Sequence, residues 1–211
     1  MRLRLKDKIN NESRADFAIS FLKKERKIKQ KRLKILELGT GHGELYKKLL
    51  DDGFEVYGLD VIIPKEIRKY KIKKWDLNKG LPFNKNQFDA VIALEVLEHL
   101  YNPFEMMKEI HRVLKINGMA IISMPNTDSI FSRVGQLYEK RMDNLDPYWH
   151  HYQPSIISIR NLVETTLKIN GEKFIFSFRT FSGFDWLGKI FLRISPYKFA
   201  GDYMVFAKKL N

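Results

Sequence analysis

Residues Lys34 to Glu44 read KILELGTGHGE. A short apolar run leads directly into Gly39, Gly41 and Gly43, and a helical pattern opens at Glu44. Glycines at such a junction let the backbone turn sharply and approach a ligand closely, while the unpaired amides of a helix start favour an electron-rich group. Asp60, at the end of the next apolar run, follows Gly39 by 21 positions. At that spacing an acid meets the ribose hydroxyls of a bound nucleoside. The stretch therefore predicts a strand, a ligand-binding turn and a helix, with a nucleoside-containing ligand.

Outward from this stretch, short β-rich runs alternate with helical patterns. Strands are expected at Lys34–Gly39, Phe54–Asp60, Lys71–Leu77, Phe88–Glu95, Met119–Met124, Lys173–Phe181 and Tyr203–Lys208. Several are continuous apolar runs, such as VIAL and AIIS, as strands covered by helices on both faces must be. The fold class is α/β, a doubly wound and mostly parallel sheet. One helix is clearly marked by a capping Asn102, Pro103 at its first position and Glu105, with Phe104, Met107, Ile110 and Leu114 as the inward stripe and Gly118 as the stop. Another is expected from Ser158 to Asn170, ending at Gly171. Residues 126–151 and 182–201 are long for connections in a compact domain and read as insertions over a site.

The chain has 211 residues, 44% of them hydrophobic and 30% charged, and no cysteine. It can bury a core, and it has no disulfide, thiolate nucleophile or cysteine metal site. No stretch approaches the roughly 18 apolar residues of a spanning helix, and MRLRLKDKIN has no secretion signal, so a cytoplasmic location is expected. The net charge of +13 is uneven: residues 1–34 hold 13 cations against four acids, a net of +9, leaving +4 for the other 177 residues. The division expected is a basic arm with an amphipathic helix over residues 1–32, the helix starting near Ser13 and Asp16, and a main domain over residues 33–211. The arm's charge reads either as a solvated helix face or as a surface for nucleic acid or anionic lipid.

A dinucleotide fingerprint requires glycine or alanine at position 44, beside the pyrophosphate, and this chain has Glu44, which would repel a diphosphate. At this point the sequence resembles the class I S-adenosylmethionine-dependent methyltransferases. Their first motif, E-x-G-x-G-x-G, is matched by Glu37, Gly39, Gly41 and Gly43, and their cofactor has no phosphate. The resemblance covers roughly residues 33–181, with the final strand also fitting. It implies a Rossmann-like, seven-stranded sheet in the order 3-2-1-4-5-7-6 with the last strand antiparallel. It also implies a cofactor site of Glu37, Gly39, Thr40, Gly41, Gly43, Asp60, Val61, Asp76, Leu77, Leu94 and Glu95. Asp60 carries over as the ribose acid and Asp76 as the partner of the adenine amine.

In the fourth motif, Glu95, Glu98 and His99 fall at i, i+3 and i+4, so on a helix they would share one face. That trio could hold a divalent metal, as the similar E-x-x-E-H pattern of ubiquinone-biosynthesis and small-RNA methyltransferases implies, with His150 or His151 completing it. In related chains without metal, the first acid contacts the cofactor instead. The candidate base for a protonated acceptor is His99 or His151, since histidine titrates in the needed range. Aromatic and aliphatic residues of the second insertion, among them Phe184, Trp186, Ile190 and Tyr197, suit an apolar pocket, a membrane interface or simple core packing. The reading is a methyltransferase acting on O or N of a small or lipid-linked acceptor. The competing readings are an RNA methyltransferase that uses the basic arm and a metal, and a module that binds S-adenosylmethionine without turnover.

Overall fold

The computed structural model describes residues 13–130, 133, 154–175, 190 and 192–210. Most of both insertions, the first twelve residues of the arm and His151 fall outside them. In chain order the elements are α1 (Arg14–Lys29), β1 (Lys34–Leu38), α2 (Glu44–Asp51), β2 (Glu55–Asp60), β3 (Ile72–Lys74), β4 (Phe88–Leu94), α3 (Pro103–Val113), β5 (Leu114–Pro125), α4 (Ile156–Glu164), β6 (Lys168–Ile175), α5 (Pro196–Phe199) and β7 (Asp202–Lys208). The seven strands form one sheet in the order β3-β2-β1-β4-β5-β7-β6. β7 runs antiparallel to both its neighbours, and the pairs from β3 to β5 are parallel. The chain reverses its direction of growth between β1 and β4. In open sheets of this kind the ligand crevice lies at such a switch point, beyond the carboxyl ends of the strands.

Alternate residues of the central strands feed two cores. Ile35, Ala90, Ile92 and Ile121 face α1 and α2, whereas Leu36, Val91, Ala93 and Ile122 face α3 and α4. Both faces of the sheet are thus dry, which explains why these strands read as continuous apolar runs. Helix α1 starts where Ser13 and Asp16 form a reciprocal capping box, and it is fixed to the sheet by Ala18, Ile19 and Leu22. Several of its cations are used internally, Lys23 pairing with Asp52 at 2.6 Å and Lys29 donating to the Asn117 carbonyl, and Lys31, just past its end, pairs with the buried Asp89 at 2.7 Å. Asp89 also accepts from the Lys34 amide and Lys115, and these partners hold its carboxyl below the usual range despite burial.

Three boundaries differ from the sequence expectation. Helix α3 ends at Val113, and β5 begins at once with Leu114. Between the pairs Phe88–Leu114 and Ala90–Met119, β5 advances five residues while β4 advances two. The extra residues bulge out, and Gly118 serves that bulge: a Cβ there would lie 2.7 Å from the Lys115 carbonyl oxygen. Lys209 closes the helix end by donating to the His111 and Leu114 carbonyls, each at 2.9 Å. The inward stripe of α3 is Met106, Met107, Ile110 and Val113, and Phe104 is exposed. Helix α4 begins at Ile156, capped by Ser155, and gives way to β6 at Lys168, so Gly171 marks a register shift inside β6 and not a helix stop.

Leu22 is the largest fully buried side chain of α1, with no exposed surface. Leu22→Ala is expected to lower unfolding free energy by about 2–5 kcal/mol in urea titration. Lys24→Ala, on the exposed side of the same helix, should change it by less than about 0.5 kcal/mol.

Candidate active site

The glycine turn is built on positive backbone angles that side chains disfavour, with φ of 68° at Gly39, 51° at Gly41 and 77° at Gly43. Space is a second constraint at two of them. A Cβ on Gly39 would come within 2.6 Å of Val96 Cγ2, and one on Gly43 within 2.9 Å of Ile67 Cγ2. At Gly41 a Cβ would meet nothing within 4 Å. The turn thus has open space on one side and strand exits packed on the other. Asp60 closes it from β2: its Oδ2 accepts from the Gly41 amide at 2.8 Å and its Oδ1 from the Ile62 amide at 2.9 Å. Val61, next to Asp60, leaves 48% of its surface exposed beside this opening.

Beneath the turn lies Glu37, 4% exposed, with Oε2 lacking any hydrogen-bond partner, and the neighbouring Thr40 hydroxyl is likewise buried and unpaired. Burial, with the Asp60 charge adding to it, pushes the Glu37 carboxyl up to about 8. Two unpaired buried polar groups at a ligand turn are groups that a ligand would satisfy. Their chemistry fits S-adenosylmethionine, which brings an ammonium, a sulfonium and ribose hydroxyls, and it opposes phosphate. Further along the edge, Asp76 accepts from the Asn78 amide at 3.0 Å and so caps a single 3-10 turn, Leu77–Lys79, in which Leu77 is buried. Asn78 in turn accepts from the Tyr101 amide at 3.0 Å, joining this corner to the loop that follows β4.

That loop departs from the expected helix. Glu95 adopts a left-handed backbone with φ of 55°, and only the 3-10 turn Leu97–His99 follows. Successive residues of a 3-10 turn point about 120° apart, so Glu98 is driven fully into the core while His99 is exposed. The expected metal trio of Glu95, Glu98 and His99 is therefore not assembled, and among the described residues no group of three His, Asp or Glu side chains gathers that could hold a metal. The i, i+3, i+4 spacing aligns side chains only where the α-helix continues, and the left-handed residue stops it. Leu94, the last residue of β4, is half-buried at the crevice.

Glu95 instead turns toward the far side of the crevice. Its Oε1 accepts from the Ser123 hydroxyl at 2.7 Å, and its Oε2 lies 3.7 Å from the Arg14 guanidinium, which pairs with Asp202 at 2.5 Å. Arg14, Ser123 and Asp202 were not anticipated. Ser123 and Asp202 had a signal, a lone polar residue in AIISM and an acid opening the last apolar strand. Arg14 had none, because its partners are 81 and 188 positions away. Neither oxygen of Glu98 has a hydrogen-bond partner, and burial beside the Glu95 charge raises its carboxyl to about 8.

Two outcomes test this geometry. Gly39→Ala combines an unfavourable φ with a clash against Val96, so it should cost about 1–3 kcal/mol in urea unfolding, whereas Gly41→Ala should cost less because the space is open. For Glu37, the carboxyl is raised from 4.5 to about 8 in the folded state, so above pH of about 5 the folded protein keeps a proton that the unfolded chain releases. Stability then falls as pH rises through that window, up to about pH 8. Glu37→Gln carries no such loss, so its melting temperature should gain on the wild type between about pH 5 and 8; parallel pH profiles would show that the carboxyl is not held neutral.

Comparison with known proteins agrees with the geometry. The model of the methyltransferase domain family matches residues 11–166. The chain is 27% identical over 152 residues to the mitochondrial ubiquinone biosynthesis O-methyltransferase of Rattus norvegicus, covering 66% of this chain and 44% of that protein. It is 34% identical over 99 residues to an uncharacterized protein of Methanocaldococcus jannaschii, covering 46% of this chain and 42% of that one. The chain spans about half the length of the curated relatives it matches. Its fold is similar to that of an S-adenosylmethionine-dependent methyltransferase from Archaeoglobus fulgidus, with a TM-score of 0.58 at 20% identity over 93% of this chain and 95% of that one. With the family model spanning most of its length and the strand order that the first motif implied, the chain belongs to the methyltransferase domain family.

Proposed function

We propose that this chain transfers the methyl group of S-adenosylmethionine to an oxygen or nitrogen of a small or lipid-linked acceptor. The observation that carries the reading is the glycine turn closed by Asp60 over the buried, unpaired Glu37 and Thr40. Acids at both positions favour a cationic nucleoside without phosphate. The ubiquinone-biosynthesis relative supports a small-molecule acceptor.

In this reading Asp60 accepts from the ribose hydroxyls, and Glu37 with Thr40 meets the amino-acid end of the cofactor. Val61, Leu77 and Asp76 line the base, with Gly39, Gly41, Gly43 and Leu94 shaping the floor. S-adenosylmethionine, when bound, supplies an electrophilic methyl group on a sulfonium. The chain's task is alignment and exclusion of water, which can lower a barrier by about 7–11 kcal/mol in favourable cases. Glu95, tied to Ser123 and Arg14, faces the acceptor side. His99, exposed at the end of its turn, is the candidate base for a protonated acceptor; His151 holds the same role as a second candidate from the sequence alone.

Calorimetric titration with S-adenosylhomocysteine tests the cofactor half. The wild type is expected to bind, and Asp60→Ala to weaken binding by about 1.5–3 kcal/mol, the value of a hydrogen bond to a charged group. No heat of binding at millimolar ligand would refute the reading. On any acceptor that the wild type methylates, His99→Ala should lower kcat by about 10²–10⁴ with unchanged S-adenosylhomocysteine affinity. An unaltered kcat removes His99 as the base, and a chain that binds cofactor but forms no product from a broad acceptor panel fits the binding-module reading instead.

A further inference from the structure

We propose that the outer edge of the sheet around β3 is a docking surface for an anionic lipid bilayer. Between positions 65 and 74 the chain places Lys65, Arg68, Lys69, Lys71, Lys73 and Lys74 against a single acid, Glu66, a net of +5 in ten residues. With the +9 of residues 1–34 also set aside, the total of +13 leaves −1 for the rest of the chain. The main domain is therefore not evenly basic: its positive charge is concentrated on one edge.

All six cations are exposed. Among the described residues none of them pairs with a carboxylate, whereas Arg14, Lys23 and Lys31 of the α1 region each do. Much of the α1 charge is paired within the fold, and the β3 charge is left facing outward. Among the described residues β3 is the terminal strand and pairs only with β2, and no further described strand covers this edge. Lysines on an edge strand also block strand addition. That role needs charge on the strand itself, yet here Lys65, Arg68 and Lys69 precede the strand and extend the same patch.

A bilayer suits the patch better than nucleic acid does. Five of the six cations are lysines, mobile point charges that match a diffuse anionic surface, whereas phosphate-backbone readers favour the bidentate fork of arginine. The nearby rings already carry ammonium groups on a face: Lys69 lies 5.3 Å from the Tyr70 centroid, Lys71 lies 5.2 Å from Tyr57, and Lys73 lies 4.6 Å from Trp75. Ring faces occupied in this way are poor platforms for bases. Ile62, 57% exposed, adds an apolar group to the end of the patch, as an interface between headgroups and acyl chains requires.

Co-sedimentation of the full chain with vesicles tests the proposal, using phosphatidylcholine alone and phosphatidylcholine mixed with phosphatidylglycerol, at low and high salt. The wild type is expected to partition onto the anionic vesicles at low salt and to leave them at high salt. The variant R68Q/K69Q/K74Q, which spares the lysines stacked on Tyr57 and Trp75, should lose about a hundredfold in partitioning, since each cation near such a surface contributes about fivefold. The charge-matched variant K24Q/K27Q/K85Q, altered at exposed positions elsewhere, should stay close to wild type. A melting curve confirms that the variants fold, and if the first does not, K74Q alone should show about a fivefold loss. Failure of the wild type to bind anionic vesicles at low salt, or an equal loss in both triple variants, overturns the proposal. So does tighter binding to a single-stranded or duplex oligonucleotide that R68Q/K69Q/K74Q abolishes, which would assign the edge to nucleic acid.

Discussion

The exits of β1 and β4 pass so closely that only glycine fits between them. Val96, just beyond β4, lies with its Cγ2 2.6 Å from where a Cβ on Gly39 would stand, at the point where the sheet changes its direction of growth. Everything at the crevice is referred to this contact. It sets the glycine turn against the loop after β4, so that the turn after one strand and Glu95 beyond the other share one opening. Asp60 reinforces it by accepting from the Gly41 amide across the neighbouring strand end. A hydrogen bond donated by a loop amide to a carboxylate pre-orders the turn, which lowers the ordering cost of binding.

The site is expensive to keep. Glu37 and Glu98 are buried without adequate partners, and burial raises both carboxyls to about 8. A core of apolar residues of similar volume would be more stable. The two acids differ in what they oppose. Glu37 has a ligand turn above it and the Asp60 charge nearby, so a cationic ligand group relieves its strain directly. Glu98 lies under the loop after β4, near Glu95, Arg14 and Asp202, and it responds to whatever changes the charge of that trio. Burial therefore raises two separate acids at the crevice, and each responds to a different neighbour, Glu37 to Asp60 and Glu98 to Glu95.

How far these features could be read in the sequence depended on whether their cause was local. The glycine spacing, Asp60, the caps at Ser13 and Asn102 and the continuous apolar strands act over a few residues, and the structure has them where the pattern placed them. Gly118 and Gly171 misled because glycine serves both a helix stop and a strand irregularity, and only pairing with β4 and β7 decides between them. The E-x-x-E-H string misled for a related reason. Its spacing implies a shared face only in an α-helix, and the left-handed Glu95 converts the same residues to a 3-10 turn that sends Glu98 inward and His99 outward. Total charge misled by averaging: a body of +4 conceals an edge of +5 against a remainder of −1.

Arg14 shows how the first helix enters the chemistry. Leu22 and its neighbours fix α1 on the face of the sheet, and that placement brings the first residue of the helix to the carboxyl ends of β4 and β5. There the guanidinium pairs with Asp202, at the start of β7, and faces Glu95, beyond the end of β4. β7 is antiparallel, so its beginning lies at the same edge as the ends of the parallel strands. An acid at the start of that strand and an acid after β4 can thus be bridged by one cation, which neither could be if β7 ran parallel. The antiparallel strand consequently does more than complete the sheet: it delivers a carboxylate that holds Arg14, and through Arg14 it constrains Glu95 beyond β4.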